Sequence, residues 1–381
     1  MIYFDNASTT WPKPWEVYTE MERCIKEYGV NAGRGQYKAA AKAGAILKDT
    51  RDSIKDLLHC NANYETVFTS SATEALNTIL QGIDFSKIKT VYITHFEHNS
   101  VLRTLFYLQK KYNFDIIKMN MSKTSPEFDL ASIKSQFANR SPDLIVLTHA
   151  SNVCGLVAPV DDICGLAQKC NAITVLDMSQ TAGLIDTNIT ELGISAAVFA
   201  GHKTLYAPFG AAGFVIKNNL PLKPLLYGGT GLQSSSLEMP GGIPERYEAG
   251  SKNIQAIAGL HSSLEWLRKI GIKTIYDKEL ALKQELIELL SEFKNIKIVG
   301  GNPGIGIVSC VFDGYAPDNI GQVLDDKFDI AVRTGLHCAP DAHKFLGTYP
   351  AGTVRFSLGY SNDKSDILRL GEALKYIADN G

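Results

Sequence analysis

The chain has no CxxC pair, no excess of either charge and no long apolar run, and each absence narrows the field. Its seven cysteines, Cys24, Cys60, Cys154, Cys164, Cys170, Cys310 and Cys338, are odd in number and irregularly spaced. That argues against a disulfide framework and against a paired-cysteine zinc knuckle. Lysine and arginine total 38 against 40 aspartate and glutamate, so no basic field exists to hold nucleic acid or an anionic membrane, and a small polar ligand is the expectation. No stretch approaches the ~18 apolar residues of a membrane span. The opening MIYFDNASTTWPKP lacks the basic-then-apolar order of a secretory leader, and a cytoplasmic location is expected. There is no internal repeat, no low-complexity linker and no GxxxxGK(S/T) string, which removes the phosphate loop of nucleotide hydrolases.

What is present is a chain of 381 residues, long enough for one large domain and a smaller one. Its middle alternates short apolar runs with amphipathic stretches. TVYIT (90–94), DLIVLTH (143–149), AITVLD (172–177) and AAVFA (196–200) read as strands buried on both faces, being continuously apolar and rich in Val and Ile. NSVLRTLFYLQKKY and VDDICGLAQKC between them read as helices, so the pattern predicts a mostly parallel sheet covered on both sides. After about residue 250 two long helical runs follow, and GIVSCVFD reads as the strand that opens a smaller α+β unit. The expected division is a large domain over 20–250 and a small one from 1–19 plus 251–381.

Ligands of open parallel sheets sit at the carboxyl ends of the strands, so the residues after each apolar run are the ones to inspect. VFTSSATEALN ends a strand in Ser70, Ser71, Ala72 and Thr73 and enters a helix. This is either an ordinary capped helix start or a phosphate cradle, because a helix N-terminus offers free N–H groups and a favourable dipole. His98 follows TVYIT, Asn152 follows DLIVLTH, and Asp177 ends AITVLD with Gln180 three residues on. AAVFAGHKTLYAPFGAAG delivers His202 and Lys203 directly from a buried strand. A lysine there bears a desolvation cost if charged, and a desolvated amine is the one that condenses with aldehydes. A phosphate cradle, a stacking histidine, a strand-end aspartate and a lysine together describe a site for pyridoxal 5′-phosphate.

The string RTGLHCAPDAHKFLGTYPAGTVRFS holds Cys338 in a Gly- and Pro-rich loop, where it could serve as nucleophile, metal ligand or packing. A zinc site from His337, Cys338 and His343 lacks a fourth ligand, so no metal is expected and the two histidines read as loop anchors.

YFDNASTTWPKP, SATEALN, EHNS, ASNVCG, LDMSQTAG, AGHK, YEAGSKN, RTGLHCAP and TVRFSLGY together cover nearly the whole chain. In this order the chain resembles the class V aminotransferase fold family, in its cysteine desulfurase and selenocysteine lyase branch, with the short-loop spacing of the SufS-like type. The resemblance implies a PLP-dependent fold type I transferase with a mostly parallel sheet of the seven-stranded type. It implies that Lys203 binds the cofactor aldehyde, His98 stacks on the ring, Asp177 pairs with the ring nitrogen, and Asn152 and Gln180 lie at the ring. Thr73, the Ala72 backbone and His202 would hold the phosphate, helped by Ser251 from the partner chain of a homodimer. Arg355, with Arg333 and Asn152 nearby, would bind the substrate carboxylate, and Cys338 would take sulfur as a persulfide with Lys203 and His98 moving protons. The implied substrate is L-cysteine or L-selenocysteine and the implied partner a sulfur-acceptor protein; cysteine or cystine lyase chemistry and a silent scaffold that binds a sulfur carrier are the competing readings. Three positions depart from the family pattern: Ala200 where relatives carry a hydroxyl, Ser251 for threonine, and Tyr37 where many have a histidine near the substrate.

Overall fold

The structure, a computed structural model, describes residues 1–32, 35–122, 125–301 and 304–379. The expected apolar runs form the centre of a seven-stranded sheet in the order Tyr64–Thr69, Ala212–Lys217, Ala196–Ala200, Ile173–Asp177, Leu144–Thr148, Thr90–Ile93 and Asp115–Lys118. Ala212–Lys217 runs antiparallel to both neighbours, and the other pairings are parallel. The edge strand Asp115–Lys118 has no exposed-to-buried alternation and is only half-buried, so its sequence carries little of the apolar signal that marks the central strands.

Alternate residues of each central strand enter different cores, as the two-residue period requires. Val91, Ile93, Leu144, Val146, Val175 and Val198 pack under the helices Ala72–Gly82 and Asn99–Lys111. Tyr92, Ile145, Leu147, Leu176 and Phe199 pack on the opposite face with Lys38–Leu57 and Val160–Lys169. The helix Ile254–Ile270 buries Ile257, Leu260, Leu264 and Leu267 in that same second core, so this part of the chain beyond residue 250 packs with the large sheet.

A second sheet of four strands is antiparallel throughout, in the order Arg333–Gly335, Thr353–Ser357, Ile307–Phe312 and Ile296–Val299. It begins one strand before GIVSCVFD, because Ile296–Val299 is a partly exposed edge with weak apolar character. Helices Ile272–Ser291, Pro317–Phe328 and Lys364–Asp379 cover it through Leu286, Leu290, Leu324, Leu370 and Leu374. The N-terminus joins this unit: Ile2–Tyr3 pairs in parallel with Ile330–Ala331, and Phe4 is fully buried against Phe356. Among the described residues no helix is long and apolar enough to cross a membrane.

Parallel pairing brings Ile93, Thr148, Asp177 and Ala200 to one end of the large sheet, two successive antiparallel pairings through Ala212–Lys217 bring Thr69 there as well, and each chemically specific loop of this sheet leaves from that end. The turn after Ala200 is possible because Gly201 lacks a side chain: a Cβ at that position would lie 2.1 Å from the Ala211 carbonyl oxygen. That oxygen accepts the Gly201 N–H, so neither partner can withdraw without breaking the ladder. Gly201→Ala is expected to cost about 3 kcal/mol, the upper part of the usual range for forced overpacking. Urea denaturation of the variant beside the parent measures it, and a loss below 1 kcal/mol would show that the turn yields easily.

Candidate active site

The strand ends open into a cleft of about 230 Å³ between the two sheets. Lys203, His202, Asp177, Gln180, Asn152, His98, Ala72, Thr73, Cys338, Arg333 and Arg355 all line it, together with Ala200. Ser251 does not: it is exposed and lines a separate depression of about 990 Å³. Tyr37 caps the helix Lys38–Leu57, is exposed, and is not among the residues lining the cleft.

At one end of the cleft, Ser71 caps the helix Ala72–Gly82 by accepting the Glu74 N–H, and the Glu74 carboxylate turns back to the Ser70 N–H at 2.9 Å. Capping and cradle are therefore compatible, since the cap uses Ser71 and leaves the Ala72 and Thr73 N–H groups at the open helix end. His202 stands beside them. Its Nδ1 is buried without a partner and its ring stacks on Phe209 at 4.5 Å. Burial, then the charges of Lys203 and Lys13, press this imidazole down to about 3, so it is neutral. An orphaned buried nitrogen beside a helix N-terminus is a vacancy for an anion's oxygen.

Lys203 follows on the turn closed by its own N–H to the Ala200 carbonyl. Burial lowers its amine to about 8, with Asp177 opposing the shift and the two arginines adding to it. Asp177 is held by the Ser179 N–H at 3.0 Å and the Ser179 hydroxyl at 2.5 Å, both on Oδ1. Gln180 donates to the Ala7 carbonyl, which fixes its amide. His98 caps the helix Asn99–Lys111: its Nδ1 accepts the Ser100 N–H at 3.1 Å. A ring nitrogen that accepts a backbone N–H carries no proton, so neutral His98 bears its proton on Nε2. Burial and then Lys203 hold this histidine below its usual range.

The substrate end is built by the small sheet. Arg333 and Arg355 are directly opposed on adjacent antiparallel strands. Arg355, 1% exposed, donates to Asp5 at 2.7 Å, to Ser8 at 2.9 Å and to the Asn152 carbonyl at 2.9 Å, while its buried Nε has no partner. Arg333 donates to Ser8 at 2.7 Å and approaches the Cys338 sulfur at 3.8 Å. Cys338 and His337 both adopt left-handed backbone, φ 58° and 46°, a conformation that costs a non-glycine residue about 1 kcal/mol or more. Three contacts hold it: the Asn99 N–H donates to the Cys338 carbonyl, the Asn152 amide to the His337 carbonyl, and His337 Nε2 bonds the Thr353 hydroxyl. His343 likewise bonds Thr348. Among the described residues, no group of three or more His, Cys, Asp and Glu is arranged to hold a metal.

The sequence reading passed over Asp5, Ser8 and Glu97. Glu97 is fully buried between two strand ends, with Oε1 accepting from the Thr94 hydroxyl and N–H and the Thr148 N–H, and Oε2 2.6 Å from the Thr148 hydroxyl. Thr148 is in register with Asp177, so this carboxyl joins the His98 turn to the strand next to the one that carries Asp177. The signal was present: a charged residue just beyond a buried strand is the argument that singled out Lys203, and it applies equally to Glu97. Burial raises Glu97 to about 7, with Asp177 adding to the shift. An acid whose folded pKa is raised contributes stability below its unfolded value, lost as pH rises toward about 7. Glu97→Gln should therefore match the parent at pH 5 and exceed it at pH 8 in urea denaturation. An equal difference at both pH values would mean that Glu97 is ionised throughout.

The model of the aminotransferase class-V family matches residues 2–370. A protein of Methanothermobacter thermautotrophicus named "Probable cysteine desulfurase" is 30% identical over 100% of this chain and 95% of its own. One of the same name from Vibrio cholerae is 27% identical over 100% and 94%. Among solved structures, the apo cysteine desulfurase of Thermococcus onnurineus superposes with a TM-score of 0.90 at 26% identity, covering 100% of this chain and 95% of that one. Members of this family are PLP-dependent enzymes. The match over nearly the full length, on a fold that brings the strand-end residues into one cleft, establishes that the chain belongs to the aminotransferase class-V family.

Proposed function

We propose that the protein is a pyridoxal 5′-phosphate-dependent cysteine desulfurase that converts L-cysteine to L-alanine and receives the sulfur on Cys338 as a persulfide. The observation that carries this reading is the meeting of Cys338 with Lys203, Asp177 and Arg355 in one cleft, the thiol being beside Arg333 and exposed enough to line it. The cleft fits the cofactor: Lys203 is an amine held to about 8, the orphaned His202 Nδ1 lies beside a helix N-terminus, and Asp177 ends a central strand. When bound, pyridoxal phosphate supplies an aldehyde for amines and a ring that holds the electron pair released from the α-carbon.

The chain's own groups then have distinct tasks. Asp177 keeps a proton on the ring nitrogen, and Ser179 fixes its carboxylate. Asn152 and Gln180, both in the cleft lining, would lie at the ring, with Gln180 held by Ala7. Thr73, the Ala72 N–H and His202 receive the phosphate. Arg355 and Arg333 orient the substrate carboxylate, with Arg355 already held by Asp5, Ser8 and Asn152. Lys203 takes the α-proton, and His98, protonated only on Nε2, carries the proton at the substrate thiol. The Cys338 thiolate attacks the substrate sulfur: an S–S bond forms and the C–S bond breaks. Its electron pair stays with the carbon, which is reduced and protonated to give alanine, while the sulfur is left at the persulfide level. A thiol-bearing acceptor protein then removes it.

We propose further that two copies complete each other's sites, Ser251 of one reaching the phosphate of the other. Its exposure outside the cleft of its own chain supports this. Inactive Lys203→Ala subunits mixed with inactive Ser251→Asp subunits should regain part of the activity as hybrids; complete subunit exchange with no recovery would refute the shared site.

Cys338→Ala separates sulfur capture from the cofactor chemistry. The variant should bind the cofactor, change its visible spectrum when cysteine is added, form no persulfide and release alanine at least tenfold more slowly. Persulfide labelling with peptide mapping, alongside alanine release from cysteine and selenocysteine, is the measurement. Parental turnover of cysteine with free sulfide as product would instead identify a C–S lyase, and retained turnover of selenocysteine alone a selenocysteine lyase.

A further inference from the structure

Lys13 is a half-buried lysine outside the cleft lining, and among the described residues its hydrogen bonds reach hydroxyl and carbonyl oxygens and no carboxylate. Its ammonium donates to the Thr10 hydroxyl at 2.8 Å, the Thr9 hydroxyl at 3.3 Å and the His202 carbonyl at 2.8 Å. The same carbonyl accepts the Thr9 hydroxyl and the Thr10 N–H, and the Thr10 hydroxyl bonds the Lys203 carbonyl. The Lys13 amine therefore stands directly behind His202, a residue that lines the anion end of the cleft and whose buried Nδ1 has no partner.

The anion end is otherwise short of charge. Its donors are the N–H groups of a helix start, the Thr73 hydroxyl and a neutral imidazole, none of them charged, and Ala200 offers no hydroxyl. The cations whose fields reach His202 are Lys203 and Lys13. In the reading proposed above Lys203 is committed to the aldehyde, which leaves Lys13. Burial without a counter-ion presses Lys13 down to about 7, so a nearby anion is what restores its charged form.

We infer that Lys13 is the cation that pairs through space with the cofactor's phosphate, making up for the hydroxyl missing at Ala200. This rests on the proposed use of the cleft for pyridoxal phosphate. The interaction passes behind His202 and is partly screened, so removing it should weaken phosphate binding by roughly five- to tenfold, as for a partly buried pair.

The test compares pyridoxal phosphate with pyridoxal, which has the same ring and aldehyde and no phosphate. Both are titrated by absorbance into the full-length chain freed of cofactor, as parent, Lys13→Met and Lys13→Arg. Lys13→Met should lose about five- to tenfold in affinity for pyridoxal phosphate and nothing for pyridoxal, and Lys13→Arg, which keeps the charge, should stay near the parent. Should Lys13→Met not fold, Lys13→Gln takes its place with the same expected loss. An equal loss for both ligands would overturn the inference, because Lys13 would then act only by placing the Lys203 turn; so would no loss for either. A parent chain that binds neither ligand would instead refute the use of the cleft itself.

Discussion

Two guanidinium groups stand opposite each other on adjacent strands, and the substrate end of the cleft depends on what relieves their repulsion. Like charges in direct cross-strand register are destabilising, and Arg333 and Arg355 occupy that register. Burial works further against the charge on Arg355, while Asp5 supports it. Ser8 accepts from both arginines and itself donates to Asp5, so one short segment offsets part of the pair's charge and aims it. Truncating a partner of such a buried group leaves an uncompensated charge, which is why the pairing is a structural condition as well as a functional one.

That segment is the N-terminus, and it acts as a strap across the whole site. Residues 2–4 belong to the smaller unit, through a two-stranded pairing with Ile330–Ala331 and the burial of Phe4 in that unit's core. Asp5 and Ser8 then hold the arginines, the Ala7 carbonyl holds Gln180, and Thr9, Thr10 and Lys13 hold the carbonyls of His202 and Lys203. The strap thus couples the substrate end, the ring environment and the lysine turn, although the residues concerned are far apart in the chain. On the other side, Asn99 and Asn152 grip the Cys338 loop from the large sheet. The cysteine's position is set by contacts between the two sheets, and its left-handed backbone persists because those contacts over-determine it.

Much of this was legible in the residue pattern. The four central strands lie within a residue or two of their apolar runs, because burial on both faces leaves an unbroken Val- and Ile-rich string. Lys203, Asp177, His98 and Asn152 could be singled out because polar groups at the ends of such strings are conspicuous, and Cys338 because it lies in a Gly- and Pro-rich loop. The edge strands Asp115–Lys118 and Ile296–Val299 were not legible, being half-exposed and mixed in composition. Helix Ile254–Ile270 shows why a change of pattern is a poor guide to packing: its apolar face fits either unit, and it sits on the large sheet. Asp5, Ser8 and Lys13 look locally like ordinary loop residues, and their roles arise from partners up to about 350 positions away.

The sequence by itself determined the elements, the polar residues at the strand ends and the family to which they belong, because periodicity and strand-end chemistry are local properties. Only the tertiary structure decided which of these residues share a cleft, which nitrogen of His98 can carry a proton, and which charges face one another. Those are matters of distance and burial between segments remote in the chain. The same holds for Lys13: nothing in WPKP distinguishes its lysine from a solvated one, until folding sets it against the His202 carbonyl and the Thr9 and Thr10 hydroxyls.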